Sequence, residues 1–453
     1  MLKFGTDGVR GIANAELTPE LIMALGRAAA HVLGGPTFLV GRDTRVSGPL
    51  LQAALSAGLA SEGIEVRDLG VLPTPGVAAL AAADHLPAAV ISASHNSFGD
   101  NGVKLFAAGG RKLSDEVERQ LEAELTALYR PTGSAAHAHV DPPVGAGIGR
   151  LVTDRDGRGR YQRMVLGSLG GRTLGGLRVV IDCANGAASV TAAEVLRHAG
   201  AEVVAVLSAT PDGTNINQGC GSTDPTAMQH AILARGADIG LAFDGDADRV
   251  IAADHTGALI DGDQLLAILA LDLRQRDLLA GDTVVVTVMT NLGFRLAMRE
   301  HQVAVHETQV GDRYVLEALD WGRWSLGGEQ SGHIIFRELA TTGDGLLTGL
   351  QLLDVMVRHD RTLAELARQA MVRLPQVLRN VAVADARGLA DAPGLWDEVH
   401  RVEAQLGETG RVLLRASGTE PLVRVMVEAP TESEAETAAG RLVDAVTRSL
   451  GRV

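Results

Sequence analysis

The sequence predicts an α/β protein of three similar α/β domains followed by a smaller α+β domain. Three observations carry that prediction. A cadence of apolar strand, Gly-containing turn and alanine-rich helix comes round three times, at spacings of about a hundred residues. Hydrophobic residues make up 46% of the 453-residue chain but aromatics only 3%, so Ala, Val and Leu must do the packing, which suits α/β layers better than an aromatic-rich sandwich. After Pro375 the cadence stops.

The first round is clearest in "TFLVGRDTRVSGPLLQAALSAGLASEG". Residues 38–40 read as strand and 48–62 as helix, and "IEVRDLG" and "PAAVISAS" supply further strands. Alternation of this kind implies a largely parallel sheet. The stretch "PTGSAAHAHVDPPVGAGIG" (131–149) has no apolar period and reads as a surface connection; no carboxylate or thiol stands at a matching spacing to make His137 and His139 metal ligands. The cadence restarts at 175–207 and again at 281–308. In the tail, strands near 377–384, 411–415 and 423–429 and a helix over 431–449 describe the α+β domain.

A net charge of −14 argues against broad binding to nucleic acid or anionic membranes, so any anion must be held locally. Lysine occurs only at positions 3, 104 and 112. Cys183 and Cys220 form no zinc or redox spacing, "MLKFGTDGVR" lacks the apolar core of a signal peptide, and no apolar run reaches the ~18 residues of a membrane span. A reducing cytoplasm is the expectation.

Four segments carry chemistry. In "DIGLAFDGDADRVIAADHTG" (238–257) an apolar strand runs into Asp244, Asp246 and Asp248, and residues two apart on an extended chain face the same way. Three converging carboxylates call for a hard cation, most simply Mg²⁺. An EF-hand is excluded, because its loop positions for Gly and Glu hold Arg249 and His255. A haloacid-dehalogenase phosphatase, with a phosphorylated Asp, stays open as a minor alternative, although no lysine follows Lys112. In "SLGGEQSGHIIF" (325–336), Glu329 and Ser331 suit sugar hydroxyls and His333 suits proton transfer. In "VLLRASGTEPLVRVMVEA" (412–429), Arg415, Ser417, Gly418, Thr419 and Arg424 form a phosphate-binding set, and the absence of a Walker motif argues against a nucleotide. The fourth, "VISASHNSFGDNGVK" (90–104), ends a strand in a knot of hydroxyls and amides that is no G-x-S-x-G hydrolase elbow. A serine there can carry a phosphoryl group if a cation and positioned donors neutralise it, and the Asp cluster, Lys104 and Arg10 offer both.

Together these segments resemble the α-D-phosphohexomutase superfamily, most closely its bacterial branch acting on glucosamine phosphates. "FGTDGVRG", "SASHN…DNGVK", "DGRGRY", "DCANGA", "PDGTNINQGCGSTD", "FDGDADR", "VGDRYV", "GEQSGH" and "RASGTEPLVRV" occur in the family's order over nearly the whole chain. The resemblance implies three α/β domains with mixed sheets and a C-terminal domain like the TATA-binding protein, around a central cleft, here at 1–150, 151–254, 255–373 and 374–453. It implies that Ser94 is a phosphoserine and Ser92 structural. It implies that Asp244, Asp246 and Asp248 with a Ser94 phosphate oxygen hold one Mg²⁺, and that Arg10, His95, Asn96, Lys104 and Arg249 surround the transferring phosphoryl. Glu329 and Ser331 match sugar contacts, His333 a proton-transfer candidate, and Arg415, Ser417, Gly418, Thr419 and Arg424 the clamp on the other phosphate.

The implied activity interconverts glucosamine 6-phosphate and glucosamine 1-phosphate through a sugar 1,6-bisphosphate that is both intermediate and activator, feeding UDP-N-acetylglucosamine synthesis. The protein is expected as a monomer or homodimer. A mutase for glucose or mannose phosphates and a catalytically silent phosphosugar-binding protein are the competing readings. One departure stands out: the family usually has Pro where this chain has Ser97.

Overall fold

The computed structural model describes residues 8–129, 141–417 and 421–451. His137, His139, Gly418 and Thr419 therefore lie outside the described residues. The chain divides into two compact units, Met1–Val288 with Ala304–Ala367, and Met289–Val303 with Arg368–Val453.

Among the described residues the first unit holds three sheets. In the first, Thr37–Arg42, Glu65–Val71, Ala88–Ile91 and Leu151–Thr153 run parallel, while Val9–Ile12 and Asp100–Ala107 add an antiparallel margin. The second has a parallel core of Glu202–Leu207, Arg178–Asp182 and Ile239–Phe243, continued antiparallel by Val250–Asp254 and Leu259–Ile260. The third orders Ala304–Thr308, Thr283–Thr287, Leu326–Gly328 and Ile334–Phe336, the last pair antiparallel. The sheets are thus mixed. The cadence reveals the parallel centres and misses the antiparallel margins, because a hairpin return carries no helix to mark it.

Small residues set the packing. The helix Pro19–Leu33 starts on Thr18, whose Oγ1 accepts the Leu21 N–H, and buries Leu21, Ile22, Leu25, Ala28 and Ala29. It lies so close to the helix Gly48–Ser61 that a Cβ at Gly26 would meet Leu55 O at 2.3 Å, and one at Gly58 would meet Met23 O at 2.1 Å. Strand Ala88–Ile91 has no exposed residue, nor has Ile239–Phe243, and each delivers its polar loop from a rigid core.

In the second unit Gln376–Ala382, Leu422–Glu428 and Arg411–Ala416 form an antiparallel sheet packed on the helices Pro393–Leu406 and Glu432–Leu450. Its buried Glu428 accepts from Asn291 Nδ2 at 3.2 Å and Leu292 N at 2.9 Å, which ties the start of the helix Leu292–Glu300 to this unit.

Leu151–Thr153 joins the first sheet, Leu259–Ile260 joins the second, and residues 289–303 group with the C-terminal residues. Cys183 and Cys220 are buried free thiols. Among the described residues no helix is long and apolar enough to cross a membrane.

Candidate active site

The loop after Ala88–Ile91 presents Ser94 with φ 52°, a left-handed conformation costly for a residue with a Cβ. Its N–H donates to Ser92 Oγ at 2.9 Å, and Ser92 Oγ donates to Asp43 Oδ2 at 2.7 Å, so Ser92 is scaffold. Ser94 Oγ donates to Asp244 Oδ2 at 2.6 Å and lies 3.3 Å from His95 Nδ1. A Cβ at Gly245 would stand 2.6 Å from Ser94 O, so the serine and aspartate loops touch through a position only glycine can fill.

The three carboxylates converge for a reason other than strand alternation. The strand ends at Phe243, Ala247 N–H donates to Asp244 O at 3.1 Å, and Ala247 takes φ 57°, so a turn gathers them. Carboxylate oxygens of Asp244, Asp246 and Asp248 lie within 4.8 Å of one another, and all three residues are buried.

Their other oxygens are occupied. Asp246 Oδ2 accepts from Thr74 Oγ1 at 2.6 Å and Lys104 Nζ at 2.8 Å, Asp248 Oδ2 lies 3.3 Å from Lys104 Nζ, and Asp244 Oδ1 accepts from Arg249 N at 3.2 Å. Asp246 Oδ1 and Asp248 Oδ1 are buried and accept no hydrogen bond from any described residue. Orphaned carboxylate oxygens are costly unless a cation meets them. An all-oxygen donor set with the Ser94 oxygen on its rim fits Mg²⁺.

Electrostatics agree. Burial, with the Asp248 and Asp246 charges, pushes the Asp244 carboxyl well above the usual range. Burial acts the same way on Asp248, but Lys104, His333 and Arg249 outweigh it and hold that carboxyl well below the range.

Burial first, then Arg249 and Arg10, lower the His95 pKa, so its ring is neutral at neutral pH and can accept a proton. Arg10 sits on Val9–Ile12, opposite Gly102. Asn96 Nδ2 donates to Asp100 Oδ2 at 3.1 Å, so this side chain serves its own loop.

The "GEQSGH" turn joins the same unit through Val250 N–H, which donates to Gly332 O at 3.1 Å. Glu329 Oε1 accepts the Gly311 N–H at 3.1 Å, and Ser331 Oγ is buried without a hydrogen-bond partner among the described residues. His333 is 1% exposed. Burial opposes its charge, yet the Asp248, Asp312 and Glu329 carboxylates raise its pKa. Its Nε2 accepts the Gly343 N–H at 3.0 Å and lies 3.5 Å from Asp312 Oδ2, while its Nδ1 lies 3.7 Å from Asp248 Oδ1. His333 is thus buried between the carboxylates of Asp248 and Asp312.

In the second unit Arg415 and Arg424 are cross-strand partners, both exposed, and Ser417 N–H donates to Leu422 O at 2.9 Å. Like charges directly opposite repel, and an anion between them relieves that.

Spacing alone does not disclose several supporting residues. Thr74, at the start of the helix Thr74–Asp84, grips Asp246 with its hydroxyl and also donates its N–H to Asp246 O at 2.9 Å. Tyr161 OH donates to Asp344 Oδ2 at 3.0 Å; Asp344 caps the helix Gly345–His359, whose Gly345 N–H donates to Ala247 O at 3.0 Å. Asp43 and Arg45 have a readable signal, ionisable residues that follow the strand Thr37–Arg42 as Asp244 follows Ile239–Phe243.

Comparison with known proteins adds a second line. Profiles described as Phosphoglucomutase/phosphomannomutase match four stretches: alpha/beta/alpha domain I at residues 1–130, domain II at 164–257, domain III at 261–374 and the C-terminal domain at 378–445. The chain is 53% identical over 450 residues to a Phosphoglucosamine mutase of Saccharopolyspora erythraea, covering 98% of each. It is 52% identical over 451 residues to one of Mycolicibacterium gilvum, again covering 98% of each. Among solved structures, a Phosphoglucomutase/phosphomannomutase family protein from Burkholderia thailandensis superposes with a TM-score of 0.81 at 24% identity, covering 99% of this chain and 98% of its own.

Proposed function

The chain belongs to the phosphoglucomutase/phosphomannomutase family, and we propose that it interconverts glucosamine 6-phosphate and glucosamine 1-phosphate as a phosphoserine enzyme. The observation that carries the mechanism is the hydrogen bond from Ser94 Oγ to Asp244 Oδ2 beside two buried carboxylate oxygens that accept no hydrogen bond from any described residue.

In the forward half-reaction the phosphorus–oxygen bond of phosphorylated Ser94 breaks and a bond forms to the free hydroxyl oxygen of the bound sugar phosphate, the hydroxyl proton passing in net terms to the departing Ser94 oxygen, giving a 1,6-bisphosphate. The bisphosphate turns end over end, and its other phosphoryl returns to Ser94. Alignment and charge neutralisation govern such a transfer. Asp244, Asp246 and Asp248, with the Ser94 oxygen, would hold one Mg²⁺, which when bound supplies charge neutralisation at the transferring group.

The remaining roles fall to the chain's own groups. Lys104 and Arg249, with Arg10, set positive charge around the phosphoryl. The Ser94 hydroxyl proton, released on re-phosphorylation, has the neutral His95 ring 3.3 Å away to receive it. His333, between Asp248 and Asp312, is the proton-transfer candidate on the sugar side. Glu329 and Ser331 take sugar hydroxyls, and Arg415, Ser417, Gly418, Thr419 and Arg424 take the phosphate that is not transferred.

The sugar 1,6-bisphosphate doubles as activator by restoring phosphate to a spent Ser94. The product feeds UDP-N-acetylglucosamine synthesis. A cytoplasmic monomer or homodimer without nucleic-acid partners fits the −14 charge. Side-by-side assays on glucosamine, glucose and mannose phosphates test the assignment: the highest kcat/KM is expected with glucosamine phosphate, and a preference for mannose phosphate overturns it.

A further inference from the structure

Arg45 and Asp43 form a wholly buried ion pair that the mechanism above does not use. Neither side chain has solvent exposure, and Arg45 Nε lies 2.9 Å from Asp43 Oδ2. The guanidinium has five N–H donors, and five acceptors meet them. One is Asp43 Oδ2, and four are backbone carbonyls of the serine loop: Ser94 O at 2.9 Å, Asn96 O at 2.8 Å, Asp100 O at 3.0 Å and Ser97 O. Asp43 closes the other side. It accepts from Arg45 N at 3.0 Å and from Ser92 Oγ, which in turn holds the Ser94 N–H. The peptide groups on both sides of Ser94 are thus anchored in one pair that follows the strand Thr37–Arg42, outside the loop itself.

Stability is a poor reason for such a pair, since desolvation offsets much of its attraction and apolar replacements often stabilise. What it does oppose is strain. Ser94 at φ 52° costs about 1–2 kcal/mol, and a loop of that shape persists only where its surroundings over-determine it. Resting on the phosphoserine reading, we propose that Arg45, with Asp43 and Ser92, is a positioning device: it fixes the left-handed turn that aims Ser94 Oγ at Asp244 and so sets the rate of phosphoryl transfer without touching the reacting atoms. Lysine cannot substitute, having three donors in place of a five-donor fork.

The test uses the full-length chain with Arg45→Lys and, as the milder change, Ser92→Ala, which removes only the hydroxyl linking Asp43 to the Ser94 N–H. Steady-state constants are read together with the single-turnover rate from phosphorylated enzyme to glucosamine 6-phosphate, scaled to the folded fraction. Both variants are expected to lose roughly 10- to 100-fold in kcat and in the single-turnover rate, the scale of a misplacement near 1 Å, with KM within about threefold. Rates within about twofold of the parent after scaling, or a loss confined to KM, overturn the positioning role. If Arg45→Lys does not fold, Ser92→Ala decides. Failure of the parent chain itself to pass phosphate from Ser94 to the sugar would instead remove the mutase reading.

Discussion

Ser94 Oγ donates a 2.6 Å hydrogen bond to Asp244 Oδ2 across 150 residues of sequence. A hydroxyl held against a carboxylate at the edge of a cation site is placed to receive and release a phosphoryl group. Ser94→Ala is expected to lower mutase activity at least about 1,000-fold with the folded state intact. Activity within about tenfold of the parent would leave Ser94 without a chemical role. The phosphatase alternative predicts an aspartyl phosphate, which hydroxylamine cleaves; the phosphoserine reading predicts a hydroxylamine-stable phosphate.

The orphaned oxygens of Asp246 and Asp248 predict metal-linked stability. After chelation, Mg²⁺ at about 100 times its dissociation constant is expected to stabilise the fold by about 2.7 kcal/mol, read as a rise in Tm. Asp246→Asn should abolish most of that rise and the Mg²⁺ dependence of activity. A parent Tm indifferent to Mg²⁺ would refute the site.

Asp344 carries a pH prediction. Burial, the largest influence, raises its pKa to about 6 from 3.8, and the Asp248 charge adds to it. A carboxyl whose folded pKa is raised favours folding when protonated, so its contribution is full below about pH 3.8 and is lost as pH rises through 6. The fold is then worse off by roughly 3 kcal/mol at neutral pH. Asp344→Asn keeps an acceptor oxygen for the cap and cannot ionise. In metal-free buffer its stability is expected to fall less than the parent's between about pH 4.5 and pH 7; parallel Tm profiles would contradict this.

Arg415 and Arg424 face each other across paired strands. Arg424→Ala removes a charge-assisted contact of about 1.5–3 kcal/mol and is expected to raise KM for the sugar phosphate about 10- to 100-fold. Because both side chains are exposed, Tm should hold. An unchanged KM would detach this loop from substrate binding.

How far the sequence reveals this site depends on how local each cause is. Strand Ala88–Ile91 running into Ser94 and strand Ile239–Phe243 running into Asp244 are local, and the apolar runs mark them. The gathering of the three aspartates is not: it depends on the Ala247 turn, which no period encodes. Thr74 on Asp246 and Tyr161 on Asp344 join residues 172 and 183 positions apart, contacts that only the fold creates. Leu151–Thr153 and Leu259–Ile260 are too short to show alternation, so their pairing with the first and second sheets is not legible in sequence. Glu428, wholly buried, accepts from Asn291 and Leu292, a contact across 137 and 136 positions that no local pattern discloses.

The most direct test of the central claim is peptide-mapping mass spectrometry of the intact protein after exposure to a sugar 1,6-bisphosphate. One phosphate on Ser94, discharged when glucosamine 6-phosphate is added, is the predicted result. Phosphate on Asp244, or none on Ser94 while mutase activity persists, would contradict it.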